Sequence, residues 1–347
     1  MPTKRTQFFQ LTLIIILGCS LFSCKQQQSL QSRIDLAIKN KDSVLVIPDG
    51  KYVIEQPLHL SGVDNLVIKA DSPNGVTITS SMDLPIENLT CLDKDSGLYE
   101  YTDPKLIMPP WPDSFKGYAG WPEIYIAGVP LSISRYPNEG FIQADSIIRV
   151  GKKPTNKETK QEPPKFLSAQ LAQNYNKELP LFLNGYWTFK WADEIIRVDS
   201  INPQSGEIEL AAPHNYGMGA PSGGLFYAIN QPEYVDTENE YYYNPNTGTI
   251  RFIHSFSDEE VESIQIAYQD FTLLEIRDCN QIKIENINFK YHNNLAVSIS
   301  NSKSVVIEQA EMYGLGRSAV AITEGFNCGV SNSTLKYLED AGILLSG

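Results

Sequence analysis

LEIRDCNQIKIENINFKYHNNLAVSIS, residues Leu274 to Ser300, carries the pattern that decides the fold. Three short runs of alternating apolar residues follow one another: Leu274/Ile276, Ile282/Ile284 and Ile287/Phe289. The first run then returns as Val297/Ile299, 23 residues on (297 − 274 = 23), and again as Val320/Ile322 and Ile343/Leu345. The second returns as Val305/Ile307 and Cys328/Val330, and the third, more weakly, as Ala310/Met312 and Ser333/Leu335. Each period therefore holds three short strands, each alternating in and out. One such coil cannot bury its apolar side alone. Coils stacked at about 4.8 Å per step can, because each column becomes a continuous apolar ladder. This predicts an all-β chain, a right-handed parallel β-helix, a solenoid with about 23 residues per coil. The leucine/asparagine consensus of leucine-rich repeats is absent. Asn286, Gln309 and Asn332 share one turn column, also 23 apart, and are expected to form an internal amide ladder.

Working outward, the same phase reappears far upstream. Leu58/Leu60 precedes Leu66/Ile68 by 8 residues, as Leu274/Ile276 precedes Ile282/Ile284, and Val76/Ile78 adds a further strand. The solenoid thus starts near residue 44, is interrupted, and resumes near 270. Residues 44–79 are assigned to the first coils, 80–268 to an inserted antiparallel β module, and 269–347 to the remaining coils. Within the insertion, three hairpins are expected. Ile124–Ile126 and Leu131–Ile133 flank Ala127-Gly128-Val129-Pro130. Ile195–Val198 and Ile208–Leu210 flank Asn202-Pro203-Gln204-Ser205-Gly206. Tyr241–Tyr243 and Thr249–Ile253 flank Asn244-Pro245-Asn246-Thr247-Gly248. The polar stretch from Lys152 to Lys165 reads as a loop. Before the first coil, Leu30, Ile34, Ala37 and Ile38 mark one face of a helix. In the segment 25–43 it is expected to serve as tether and cap for the open end of the solenoid. The sequence ends mid-coil at Gly347, so a truncated chain is expected.

Residues 1–24 read as a lipoprotein signal peptide. Lys4 and Arg5 precede an apolar run densest at Leu11–Leu17, and Leu21-Phe22-Ser23-Cys24 resembles a lipobox. Cys24 is preferred to Cys19 for lipidation because the chain turns polar directly after it, at Lys25-Gln26-Gln27-Gln28. The protein is therefore expected to be exported and held in the cell envelope, in the outer membrane of a Gram-negative bacterium, with the membrane as a partner through its lipid.

The 347 residues carry a formal net charge of −13. An acidic surface repels phosphate backbones and argues against nucleic acid as a partner. The five cysteines fit no zinc or CxxC spacing. Cys279 and Cys328 lie about two coils, roughly 10 Å, apart, too far for a disulfide. There is no Gly-x-Ser-x-Gly elbow and no HExxH.

Four stretches carry a resemblance. Pro48-Asp49-Gly50-Lys51-Tyr52 looks like the "PxGxY" opening of a first coil. Ile126–Leu131 with Ser134-Arg135-Tyr136-Pro137-Asn138 is similar to an "NGxxxxxARYPN" signature. Asn244–Ile250 looks like a "DxxTGxLY" hairpin, and residues 282–347 resemble generic β-helix repeats. Together they resemble bacterial right-handed β-helix carbohydrate-active proteins, with the nearest likeness to β-helix glycosidases of the type in glycoside hydrolase family 141. That resemblance implies a polysaccharide or oligosaccharide partner and a pair of carboxylates on later coils.

The 23-residue phase aligns Asn294, Arg317 and Asp340 at one corner, with Asn293, Gly316 and Glu339 in the neighbouring column. His292 lies on the same turn, and Tyr291 and Tyr337 flank it. Glycoside hydrolysis needs a general acid and a base or nucleophile. Asp340, Glu339 and His292 are the catalytic candidates. Arg317, Asn294, Trp187, Trp191 and Tyr337 are the candidates for binding sugar; the two tryptophans, four apart, would share one face of a strand. Arg317 and Asp340 would otherwise form a surface ion pair. A hydrolase needs no cofactor. The alternatives are a polysaccharide lyase, which could recruit Lys290, Arg317 or Lys336 with calcium, and a non-catalytic glycan-binding or adhesion solenoid.

Overall fold

The computed structural model describes residues 29–116, 121–152, 162–175, 180–220, 223–256 and 264–347. The export segment and Cys24 lie outside them, as does most of the stretch between Lys152 and Lys165.

Three parallel sheets of five strands each form the solenoid. The first contains Val44–Ile47, Asp64–Ala70, Asn280–Glu285, Lys303–Glu308 and Gly329–Ser331. The second contains Gly50–Val53, Val76–Thr79, Ile287–His292, Glu311–Leu315 and Thr334–Leu338. The third contains Leu58–Ser61, Leu274–Arg277, Val297–Ser300, Val320–Thr323 and Ile343–Ser346. The 23-residue period is the register itself: Leu274 pairs with Val297, Val297 with Val320 and Val320 with Ile343. Leu58 pairs with Leu274 although the whole insertion separates them in sequence. The chain leaves the second coil after its second strand and returns to supply the third. The inward columns form one continuous core with Leu60, Ile276, Ile299 and Ile322 on one wall and Ile78, Phe289 and Met312 on another.

A helix over Leu30–Asn40, α1, closes the first coil. Ser29 caps it, accepting from the backbone N–H of Ser32 at 3.2 Å. Leu30 and Ile34 enter the solenoid core.

The amide column behaves differently from expectation. Asn286, Gln309 and Asn332 all have left-handed backbones, with φ of 57°, 54° and 48°. They turn the corner between the first and second sheets, and Gln309 and Asn332 are exposed. The tight corner demands positive φ, which short polar side chains tolerate, so the column reflects backbone geometry rather than an internal amide ladder.

Among the described residues the insertion's strands pair antiparallel apart from one pair of strands, and an isolated bridge, Lys152 to His214, is also parallel. A four-stranded sheet in the order Val129–Pro130, Glu123–Ile126, Ile264–Ala267, Met82–Leu84 lies against the second solenoid sheet. A five-stranded and a nine-stranded sheet build outward from it. The second and third expected hairpins pair as read, Val198 with Leu210 and Tyr241 with Phe252. The first is shorter than expected. Ala127 and Gly128 (φ 49° and 79°) make a two-residue turn, Ile126 pairs with Val129, and Ser132–Ile133 leaves to run parallel to Glu240–Tyr241.

Candidate active site

The second solenoid sheet meets the insertion along a seam. Tyr125 packs on Tyr291 with ring centroids 4.8 Å apart, and the Tyr313 hydroxyl donates to the Gly128 carbonyl at 2.7 Å. Next to this seam stands the corner column Asn293, Gly316, Glu339 (316 − 293 = 23; 339 − 316 = 23). Backbone bonds hold the column in step: Gly316 N–H donates to His292 O at 2.8 Å and Glu339 N–H to Leu315 O at 3.2 Å. Asn293 and Glu339 are two coils apart, about 10 Å along the axis. Gly316 between them has no side chain, and a Cβ there would come within 2.5 Å of Asn293 Oδ1. The amide of Asn293 is wholly buried; its Nδ2 donates to Trp121 O at 2.8 Å, while its Oδ1 has no hydrogen-bond partner among the described residues.

Into this neighbourhood the insertion brings Glu123, the first residue of the strand Glu123–Ile126 and only 5% exposed. Burial, and secondly the negative charge of Glu339, push its carboxyl up to about 8; a hydrogen bond from the Trp121 side chain opposes them. Glu339 stands nearer solvent, and desolvation raises it as well. The two carboxyls lie within each other's field and cannot both ionise freely, so the pair retains a proton to higher pH than a lone carboxyl would. The phenols of Tyr125 and Tyr241 are driven well above their ordinary value by burial first and then by the same two acids. They remain neutral hydrogen-bonding groups. Two neighbouring carboxyls that together retain a proton can deliver it to a leaving oxygen and receive one from water.

Of the residues singled out from sequence, Glu339 belongs to this constellation. Asp340, its neighbour, faces other partners: its Oδ2 accepts from the buried Ser318 hydroxyl at 3.2 Å. Among the described residues no ion pair joins it to Arg317, whose side chain is exposed. Asn294 donates to Asp270 Oδ1 at 2.5 Å and accepts from Leu295 N–H at 2.7 Å. His292 needs correction. It is fully buried, with Nδ1 at 2.6 Å from the Ser80 hydroxyl and Nε2 bonded to Phe271 O. Burial lowers it to about 4. Both ring nitrogens are used inside the fold, so it braces the point where the insertion departs rather than meeting substrate.

Trp187 also needs correction. Its strand ends at Tyr186, and the tryptophan turns into the insertion core, 0% exposed, with Nε1 donating to Glu194 O at 2.9 Å. Trp191 goes the other way, 70% exposed, stacked on Phe189 at 5.3 Å with an interplanar angle of 11°. The two therefore share no face. Tyr337 is exposed and packs edge-on against Tyr313 at 5.0 Å, with Lys336 Nζ 4.6 Å from its ring centroid. In the Arg135–Asn138 signature, Arg135 lies over the Tyr227 ring at 3.7 Å and donates to Pro137 O at 2.9 Å, and Asn138 reaches Asp236 at 2.8 Å. These contacts hold the module together.

Glu123 escaped the reading of the sequence. The available signal was a carboxylate opening the otherwise apolar run Glu123-Ile124-Tyr125-Ile126, all four of which are buried.

The chain matches no protein-family model and no curated protein. Among solved structures, a glycoside hydrolase superposes over 86% of this chain with a TM-score of 0.62 at 13% identity. The chain spans 61% of that hydrolase's length. The likeness shows a shared β-solenoid fold. A complex of XylC with xylose aligns over 87% of this chain and 51% of its own, at TM-score 0.36 and 10% identity. The Gp54 tailspike of Acinetobacter baumannii bacteriophage AP22, in complex with capsular saccharide, aligns over 89% and 43%, at TM-score 0.19 and 10% identity. Scores this low carry no argument about this chain.

Proposed function

We propose that this protein is a polysaccharide-acting glycoside hydrolase on a β-helix, of the kind resembled by glycoside hydrolase family 141. Glu123 is the general acid and Glu339 the base or nucleophile. The observation that carries the reading is a buried carboxyl, Glu123, 5% exposed, set close enough to Glu339 that burial and the Glu339 charge both raise it. A carboxyl disposed to keep its proton beside a second carboxyl is what glycoside hydrolysis requires. Asp340, through Ser318, positions the turn that carries Glu339. The exposed rings of Trp191 and Tyr337 are sugar-stacking surfaces outside the pair. The chemistry needs only protons and water, so no cofactor enters. The reading of residues 1–24 places the enzyme in the cell envelope, lipidated at Cys24, with glycans outside the cytoplasm as its substrates.

The test is release of reducing ends from a broad panel of polysaccharides and oligosaccharides. Glu123→Gln and Glu339→Gln are each expected to lower kcat by about 10²- to 10⁴-fold. Cleavage by either variant at the wild-type rate removes the pair from the mechanism. Products bearing a new carbon–carbon double bond would make the protein a lyase.

A further inference from the structure

Trp121, which hydrogen-bonds Glu123, also packs edge-on against Trp111, their ring centroids 5.2 Å apart. Trp111 in turn lines a cleft of about 260 Å³ that contains neither member of the carboxyl pair. The cleft lies where the five-stranded and nine-stranded sheets of the insertion meet. Phe182 comes from one, Tyr243 and Asn246 from the other, and Asp113 and Arg197 also line it. Three features are those of a carbohydrate pocket. The lining combines indole, phenyl and phenol rings, which suit the apolar faces of a pyranose. Polar groups are few and fixed: Arg197 Nε donates to Asp113 Oδ1 at 2.7 Å. The Trp111 indole N–H is buried and, among the described residues, has no acceptor, a cost that a ligand oxygen reaching it would relieve.

The charge of the lining narrows the ligand. Among the described residues Arg197 is its one cation, and it is already engaged by Asp113 at 2.7 Å and approached by Asp199 at 3.8 Å. Among the described lining residues no positive charge is left over for a uronate or a sulfated sugar, and the net charge of −13 repels both.

We propose that this cleft is a binding subsite for a neutral pyranose, separate from the carboxyl pair and joined to it by the Trp111–Trp121 contact. The choice of ligand class rests on the carbohydrate reading above; the site does not depend on catalysis.

The experiment is calorimetric and tryptophan-fluorescence titration of the full chain with glucose, galactose, mannose and xylose and their disaccharides, with glucuronate and galacturonate as charged comparators. A neutral sugar is expected to bind. Trp111→Phe, which keeps a ring but removes the N–H, is expected to weaken it roughly three- to tenfold. Because Trp111 also packs in the core, a second variant guards the outcome: Asn246→Trp, at an exposed position, should block the mouth and abolish binding without unfolding the chain. Glu123→Gln should lose hydrolysis and keep this affinity, which separates failure of the catalytic reading from failure of the subsite. The subsite is overturned if no neutral sugar binds, if only the uronates bind, if Asn246→Trp binds as well as wild type, or if Glu123→Gln abolishes binding.

Discussion

Glu123 and His292 are buried ionisable groups a short way apart in the fold, and they pull stability in opposite directions with pH. Glu123 titrates near 8 when folded, against about 4.3 in an unfolded chain. Between those values the native state binds more protons than the unfolded one, so stability falls as pH rises through that window. Glu123→Gln removes the proton and the slope. Thermal melts should show the variant level with wild type near pH 4 and more stable at pH 8, on the order of 1–3 kcal/mol; a melting temperature that tracks wild type at every pH would mean that Glu123 is not the buried acid. His292 titrates near 4, below its unfolded value of about 6.5. There the native state binds fewer protons, and stability is lost as pH falls from 6.5 towards 4. His292→Gln should flatten that acid limb. His292→Ala, which leaves a cavity and strips the Ser80 hydroxyl of its partner, should cost about 2–4 kcal/mol, while the pH dependence of hydrolysis stays that of Glu123 and Glu339.

At the scale of elements, the solenoid and the insertion differ in how openly the sequence declares them. Leu274, Val297, Val320 and Ile343 are stacked partners in one column, so a periodicity in sequence is also a contact in space, and the same arithmetic placed Glu339 above Gly316 and Asn293. The insertion has no such period. Ser132–Ile133 pairs with Glu240–Tyr241, and Arg135–Tyr136 with strand Leu225–Ile229, across separations that no local pattern encodes. Half of the carboxyl pair lies on each side of this divide, which is why Glu339 was legible and Glu123 was not. Trp187 and Trp191 show the same limit at closer range: their shared spacing implied one face, and the turn after Tyr186 sent them to opposite environments. Gly316 ties the two systems together. Gly316→Ala would drive a methyl to within 2.5 Å of Asn293 Oδ1 and 3.0 Å of its backbone carbonyl carbon. The expected result is a stability loss of about 1–3 kcal/mol with a much larger fall in kcat, because Asn293 and the column that carries Glu339 must shift. Ile299→Ala, in the solenoid core and 1% exposed, should do the reverse: about 2–5 kcal/mol lost in stability and kcat per folded molecule retained.

For the whole molecule, the order of parts along the solenoid axis has a consequence for how it meets substrate. α1 closes the first coil, and Asn293 and Glu339 lie on the third and fifth coils. If Cys24 carries lipid, the distance from the lipidated residue to Ser29 cannot exceed about 18 Å for five residue steps. The capped end is then held close to the bilayer, and the seam with its carboxyl pair is set back from it by several coils at about 4.8 Å each, away from anionic headgroups that the net charge of −13 would repel. Expression of the full chain in a bacterium fed an alkyne fatty acid should label the protein and place it in the membrane fraction. Cys24→Ser should abolish the label and release the protein in soluble form, with hydrolysis of small oligosaccharides unchanged, because the pair lies far from the anchor. Loss of label in Cys19→Ser instead would move the processing site into the apolar run and add five residues to the tether. A chain that stays unlabelled but membrane-bound in both variants would make residues 1–24 an uncleaved anchor and remove the lipid from the proposal.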